Sequence, residues 1–274
     1  MSIGAVPLSM SNSIPTTEII NGRTLVMGIL NVTPDSFSDG GQWIDLDRAV
    51  EHVFEMIGDG ADIIDIGAES TRPNFNPISV DEELNRLEPI LRALNGRCPI
   101  PISVDTYKPS TAQAAVELGA DMINAVHCDR SMLETAARLN VPLVVTHDRT
   151  SVDVIADVNN FFEQTVELAD EIGLPRDNLI FDPGIGFGKT QEQNLTILRR
   201  LDEIKTDRPL MLGVSRKSLI EYALGLPIDQ RDEVTGAWCV VGAMRGADIV
   251  RVHNVKMIAK MLRAVDVVNK KASR

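Results

Sequence analysis

Long apolar runs are missing from this sequence, and without about twenty consecutive hydrophobic residues a membrane-spanning helix is excluded. Aromatic residues are scarce, at 4% against 44% hydrophobic residues in all. A core must therefore be built from Val, Ile, Leu, Ala and Met, the residues of a parallel sheet covered on both faces. Only three cysteines are present, Cys98, Cys128 and Cys239, far apart and without a CxxC pair. Their odd number and spacing exclude a disulfide framework or zinc site and suit free thiols in a reducing compartment. Basic residues are outnumbered, 27 Lys and Arg against 39 Asp and Glu, leaving a formal net charge of −12. Such a chain repels nucleic acid and anionic lipid as a whole, so any anionic ligand needs a local cluster of positive groups. The first twenty residues carry no Lys or Arg and no long apolar run, so no secretory signal is expected and the cytoplasm is the expected location.

What is present is a rhythm. Short β-rich runs recur along the chain at Leu25–Asn31, Ala61–Ala68, Ile100–Thr106, Met122–Val126, Val141–His147, Leu179–Gly184, Leu210–Arg216 and Asp248–Asn254. Most are continuously apolar, as strands buried on both faces are. Between them lie amphipathic stretches of helical period. Asp47–Ile57 puts Val50, Val53, Phe54 and Ile57 on one face, and Val80–Leu94 follows Ser79 as N-cap with Glu82 three residues on, a capping box. Three helices end in the same Gly-Ala-Asp before an apolar run, at Gly60, Gly119 and Gly246, where Gly suits the left-handed position that stops a helix. Strand and helix in strict alternation imply parallel pairing with right-handed crossovers. Eight such units in 274 residues, with no break in composition, predict a single α/β domain, a (β/α)8 TIM barrel. A doubly wound open sheet is the competing architecture. The Asn21-Gly22 pair predicts a short N-terminal β-hairpin that plugs the bottom of the barrel. Residues 1–17 are expected to be a flexible segment and residues 18–274 the barrel domain.

In such barrels the chemistry sits at the C-terminal ends of the strands. Nearly every predicted strand here ends in a group that can bind or react: Asn31, the Glu69-Ser70-Thr71-Arg72 stretch, Asp105, Asn124, His147, Asp182, the Arg216-Lys217 pair, and Arg251 with His253. Any one of them reads equally as a helix cap or a solvent-facing group, but their convergence on one mouth reads as a binding site. Gly184-Ile-Gly-Phe-Gly188-Lys189-Thr190 is not a nucleotide loop. It has three residues, not four, between the first Gly and the Gly-Lys pair, and Pro183 precedes it. Its glycines are expected to let a flat ligand lie close to the backbone. His52 falls on an outer helix as a structural or solvent-facing residue, His147 is either a rim histidine or a site residue, and His127 has no role that sequence assigns.

Six segments together resemble the dihydropteroate synthase family: Asn31-Val-Thr-Pro-Asp-Ser-Phe-Ser-Asp-Gly-Gly41, Glu69-Ser-Thr-Arg-Pro73, Ser103-Val-Asp-Thr106, Asp182-Pro-Gly-Ile-Gly-Phe-Gly-Lys189, Ser215-Arg-Lys-Ser218 and Arg251-Val-His253. They stand in the family's order from about residue 20 to the end. The resemblance implies an enzyme of folate biosynthesis that joins 6-hydroxymethyl-7,8-dihydropterin diphosphate to p-aminobenzoate with release of pyrophosphate. It implies that Asp105 and Asp182 accept the paired donors of the pterin ring, with Asn124, Lys217 and Phe187 also at the pterin. Arg251, His253 and Asn31 would hold the diphosphate, with Mg²⁺ on Asn31. Thr71, Pro73, Phe37 and Phe187 would frame the aminobenzoate, with Arg216 and Ser218 at its carboxylate. Lys217, Arg251, His253, Asp39 and Arg72 would serve catalysis, the last two with Asp35 on loops that close over the site. Small-molecule substrates and a homodimer follow from the resemblance, and neither nucleic acid nor membrane is a partner.

Two positions depart from the family. Ala125 follows Asn124 where relatives usually have Asp, which bears on what orients Asn124, and Thr146 precedes His147 where relatives usually have Met. A pterin-binding methyltransferase domain shares the barrel and the carboxylate pair but does not need Ser215-Arg-Lys-Ser218 or the Arg251 and His253 pair. A non-catalytic pterin-binding paralogue is the other alternative.

Overall fold

A strand sends alternate side chains to opposite faces, so a run apolar throughout must find cover on both sides. The computed structural model describes residues 23–32, 42–69 and 77–268 and provides that cover with a barrel inside a ring of helices. The strands are β1 (Leu25–Asn31), β2 (Ile63–Gly67), β3 (Ile102–Asp105), β4 (Met122–Ala125), β5 (Leu143–Thr146), β6 (Leu179–Asp182), β7 (Met211–Leu212) and β8 (Ile249–Val252). The helices between and after them are α1 (Gln42–Asp59), α2 (Val80–Leu94), α3 (Pro109–Glu117), α4 (Arg130–Leu139), α5 (Val154–Ile172), α6 (Gln191–Arg199), α7 (Ser218–Leu224), α8 (Asp232–Met244) and α9 (Val255–Val268). All pairings are parallel in the order β6-β5-β4-β3-β2-β1-β8-β7, and a parallel bridge between Phe181 and Leu210 joins β6 to β7. The expected (β/α)8 barrel is therefore what forms, and the open doubly wound sheet is not.

Two cores result. Inside the barrel Met27, Ile63, Met122, Val144, Ile180, Met211 and Ile249 pack as one layer, one residue from each of seven strands. Outside, the other strand faces meet the helices. There Leu87, Ile90, Leu91 and Leu94 of α2 are buried with Ile64, Ile66 and Val104 of the sheet, each such side chain contributing roughly 1.5–3 kcal/mol by leaving water.

The repeated Gly-Ala-Asp has a structural purpose at the N-terminal face. Gly60, Gly119 and Gly246 take φ of 107°, 108° and 101°, turning the chain from helix toward strand. The Asp that follows each accepts a backbone N–H at or just before the start of the preceding strand: Asp62 from Val26, Asp121 from Ile102 and Asp248 from Leu210, each at 2.9 Å. Three junctions thus satisfy backbone donors that the barrel's lower rim would otherwise leave open.

Some expectations shift. β7 ends at Leu212, not Arg216, because Gly213 and Val214 leave the ladder and Arg216 takes a left-handed φ of 56°. β6 ends at Asp182, before the glycine loop. Ser79 caps α2 by accepting from Glu82 N–H at 3.1 Å, while a full capping box forms at Thr190 and Gln193 on α6. The hairpin expected at Asn21-Gly22 and the segment 1–17 lie outside the described residues.

Candidate active site

Two residues above the inner apolar layer, the same faces of the strands carry Asp65, Asn124, Thr146, Asp182 and Arg251, joined by Asp105 of β3 and by Gly213 just past the end of β7. Strand periodicity makes these side chains point inward too. Asp65, Asp105, Asn124, Thr146 and Asp182 are all buried. The barrel mouth is thus floored with polar groups where a packed barrel would have Val or Ile.

Arg251 reaches across this layer. Its Nε donates to Asp65 Oδ2 at 2.6 Å and its Nη2 to Asp105 Oδ2 at 2.7 Å. Asn124 Nδ2 donates to the same Asp65 oxygen at 3.1 Å. Burial opposes the charge on Arg251, but the two carboxylates more than offset it and its pKa stands above the ordinary value. Burial pushes Asp105 up to about 7; Arg251 opposes the shift and Asp65 adds to it as a like charge. Asp182, on the other side of the mouth, is also raised by burial, against the Gly184 N–H that donates to its Oδ1 at 2.7 Å and the nearby Lys217. An ideal Cβ on Gly213 would stand 3.6 Å from Asp182 Oδ2, so the missing side chain leaves that carboxylate face clear.

Lys217 comes in from the turn before α7. Its ammonium lies 3.9 Å from the centroid of the Phe187 ring, and its stem crosses Gly186, where a Cβ would meet Lys217 Cδ at 3.0 Å. Burial pushes Lys217 down to about 8, with Asp182 opposing and Arg251 adding. The glycine loop is therefore not shaped chiefly by a flat ligand, as the sequence suggested. A Cβ on Gly184 or Gly188 would fall on the carbonyl oxygen of His147 or Asp148, so these glycines let the loop pack on the chain leaving β5. Lys189 fastens the same contact by donating to the carbonyl oxygens of His147, Gly184 and Phe187 at 2.6, 3.0 and 3.1 Å.

The remaining expected residues divide. His253 sits beside Ser215, its Nδ1 2.9 Å from the hydroxyl, with its backbone N–H donating to the same oxygen at 3.1 Å. Asn31 ends β1 exposed at the mouth, in register with Gly67, and Gly67 pairs with Asp105. Arg216 is engaged by a bidentate pair with Asp232 of α8 at 2.6 and 2.8 Å. Ser218 opens α7 exposed, accepting from Gln191 Nε2 at 3.3 Å. Phe37, Asp35, Asp39, Thr71, Arg72 and Pro73 lie outside the described residues. His147 points outward: fully buried, it meets Asp157 through Nε2 at 2.8 Å and the edge of Phe161, which makes it a structural residue. His127 and Asp148 pair across the β4 and β5 exits.

Sequence reading missed Asp65, Lys189 and the inward hydroxyl of Thr146. For Asp65 the signal was available: an acid two residues after Ile63 in an otherwise apolar strand must share its inward face. Lys189 carried no comparable signal, because it ties two carbonyl oxygens of its own loop to that of His147, which arrives on the chain leaving another strand.

Comparison with known proteins places this geometry. A family model described as pterin binding enzyme matches residues 27–253. A dihydropteroate synthase of Clostridium beijerinckii is 46% identical over 257 residues, covering 91% of this chain and 96% of that protein. The chain belongs to the dihydropteroate synthase family of pterin-binding enzymes. Solved structures agree. Clostridium difficile dihydropteroate synthase in the presence of pteroic acid superposes with a TM-score of 0.88 at 41% identity, over 92% of this chain and 99% of that one. Xanthomonas albilineans dihydropteroate synthase with 4-aminobenzoic acid gives 0.86 at 38%, over 90% and 93%. Family membership rather than a methyltransferase domain is what these likenesses support.

Proposed function

We propose that this chain condenses 6-hydroxymethyl-7,8-dihydropterin diphosphate with p-aminobenzoate, forming 7,8-dihydropteroate and pyrophosphate. The observation that carries the reading is the buried layer in which Asp105, Asn124 and Asp182 stand within one barrel mouth as Lys217 closes over it. A pterin presents two adjacent N–H donors on one edge and acceptors on the other. Carboxylates and an ammonium are complementary to those edges.

In this reading Asp105 and Asp182 hold the ring, Asn124 and Lys217 orient it, and Phe187 lies against it. Arg251 and His253 meet the diphosphate at the tip of β8, with Arg251 exchanging its Asp105 contact for phosphate as the ring takes up that carboxylate. The C–O bond at the exocyclic CH₂ breaks, and its electron pair leaves with pyrophosphate. The neutral amine nitrogen of p-aminobenzoate then forms the new C–N bond and gives its proton to solvent. Positive groups already in place where charge develops on the leaving group lower the barrier most, because they need not reorganise. Thr71, Pro73, Phe37, Arg216 and Ser218 would frame the aminobenzoate, and Asp39 and Arg72 would complete the closed site.

Asn31 fits a hard cation that retains most of its water, since it offers one neutral amide oxygen, exposed at the mouth. Mg²⁺ would be held there by Asn31 with phosphate oxygens and water. Bound there, it would neutralise charge on the leaving diphosphate. We further read the protein as a cytoplasmic homodimer. Val241 and Met244 of α8 and Val267 and Val268 of α9 are exposed on neighbouring helices, an apolar patch of the kind a second copy covers. Among the described residues no helix is long and apolar enough to cross a membrane.

The deciding experiment follows pyrophosphate release from the pterin diphosphate with and without p-aminobenzoate. Release that requires the amine is the expected result. Tight pterin binding with no release under either condition would point instead to the non-catalytic paralogue.

A further inference from the structure

Asp65 belongs to none of the segments that carry the family resemblance except by adjacency, yet it is the most enclosed acid of the mouth, at 0% exposure. It sits within β2, with β1 and β3 on either side. A carboxylate at such a place is costly to desolvate, and an apolar residue would serve the barrel better. Its contacts show what it does. One oxygen, Oδ2, accepts from both Arg251 Nε and Asn124 Nδ2. The other, Oδ1, has no hydrogen-bond partner among the described residues.

The first contact fixes the sense of an amide. An Asn side chain can present either its oxygen or its NH₂ to a ligand. With Nδ2 committed to Asp65, Asn124 must turn Oδ1 the other way, and that buried oxygen also has no partner among the described residues. The second contact fixes a hinge. Arg251 is held at Nε by Asp65 and at Nη2 by Asp105, so Asp105 can be released by breaking one bond while the guanidinium stays anchored below.

We infer that Asp65 is a positioning residue for the heterocycle: it sets Asn124 as an acceptor facing a ring N–H, and it pins Arg251 so that Asp105 can pass to the ligand. This rests on the proposed pterin reading of the site and names the group that enforces it.

The test is Asp65→Asn, which keeps the shape and removes the charge. Kd for the dihydropterin diphosphate and its KM are expected to rise roughly tenfold or more, the scale of a lost charge-assisted bond, while KM for p-aminobenzoate stays within about twofold of the unaltered protein. Asp105 is faced by Arg251, Asp65, Glu83 and Lys217. Removing the like charge of Asp65 should therefore carry the acid limb of pterin binding to lower pH, which a packing role would not do. An unmoved limb with pterin affinity within twofold overturns the inference. Pterin titration decides it even if the unaltered protein releases no pyrophosphate, a result that counts against the proposed reaction alone. Should Asp65→Asn fail to fold, a crystal structure of the unaltered protein with bound dihydropterin decides. Asp65 still bridging Asn124 and Arg251 is expected, and Asp65 parted from either is the contrary result.

Discussion

Lys217 lies over Phe187, its ammonium 3.9 Å from the ring centroid, and the two reach the barrel mouth from different strand exits. The aromatic face meets a cation that burial pushes down to about 8 and that Asp182 helps to keep charged. Gly186 gives the lysine stem its path, and Lys189 holds the carbonyl of Phe187. Removing the ammonium should leave this scaffold standing. Lys217→Ala is expected to retain the circular dichroism spectrum and unfolding midpoint of the parent while kcat/KM for the pterin diphosphate drops on the order of 100-fold or more, the scale of truncating a buried charged contact. Near-parental turnover would remove Lys217 from the site.

Pterin affinity should depend on pH in both directions. Burial raises Asp105 to about 7, so below that pH it holds a proton and loses half of its capacity to accept the ring's donors. Burial lowers Lys217 to about 8, so above that pH it loses the charge with which it donates. The expected dissociation constant is smallest between these values and rises on either side, as read by fluorescence titration at constant ionic strength. A flat profile from about pH 5.5 to about 9.5, roughly 1.5 units beyond each value, would contradict both assignments.

The glycine loop makes a separate demand on stability. Gly184 has φ of 69°, and a Cβ there would fall on the His147 carbonyl oxygen, so Gly184→Ala must either move the β5 exit or break the loop. Chemical unfolding should show a loss on the order of 3 kcal/mol. Gly173→Ala is the control. Its φ is 77°, but no atom stands within 4 Å of the added Cβ, so only the left-handed backbone penalty of roughly 1–2 kcal/mol applies. Equal losses at the two positions would show that backbone conformation, not the contact with β5, sets the requirement.

Thr146 offers a hydroxyl to the interior between Asn124 and Asp182, and among the described residues its Oγ1 has no hydrogen-bond partner. Thr146→Val replaces that oxygen by a methyl of the same size. Without ligand the variant should be as stable as its parent or more so, by up to about 1 kcal/mol. Pterin binding should weaken several-fold if the hydroxyl turns to the ring. Calorimetry measures both, and unchanged pterin affinity would make Thr146 a bystander.

The barrel was legible because its signals are local. Continuous apolar runs, helical periodicity and glycine stops depend on neighbours within a few residues, and each strand's last residue marks the mouth once the fold class is known. Asp105, Asn124 and Asp182 could be placed at one mouth for that reason, while Lys217 reaches it from the turn before α7, beyond the end of β7. Partners could not. Arg251 donates to carboxylates 186 and 146 residues away, and which of its neighbours it grips depends on how the closed ring staggers its strands. The same holds for His147, whose place at a strand tip suited the site but whose odd position in the pleat turns it outward to Asp157.

The sequence by itself determined a parallel barrel and the composition of its mouth, because hydrophobic period and chain order are properties of short segments. Only the tertiary structure decided that Asp65 grips both Arg251 and Asn124, and that the glycines fit backbone to backbone. Those contacts exist solely where distant segments meet, and there distance and direction, not residue type, determine what a side chain can do.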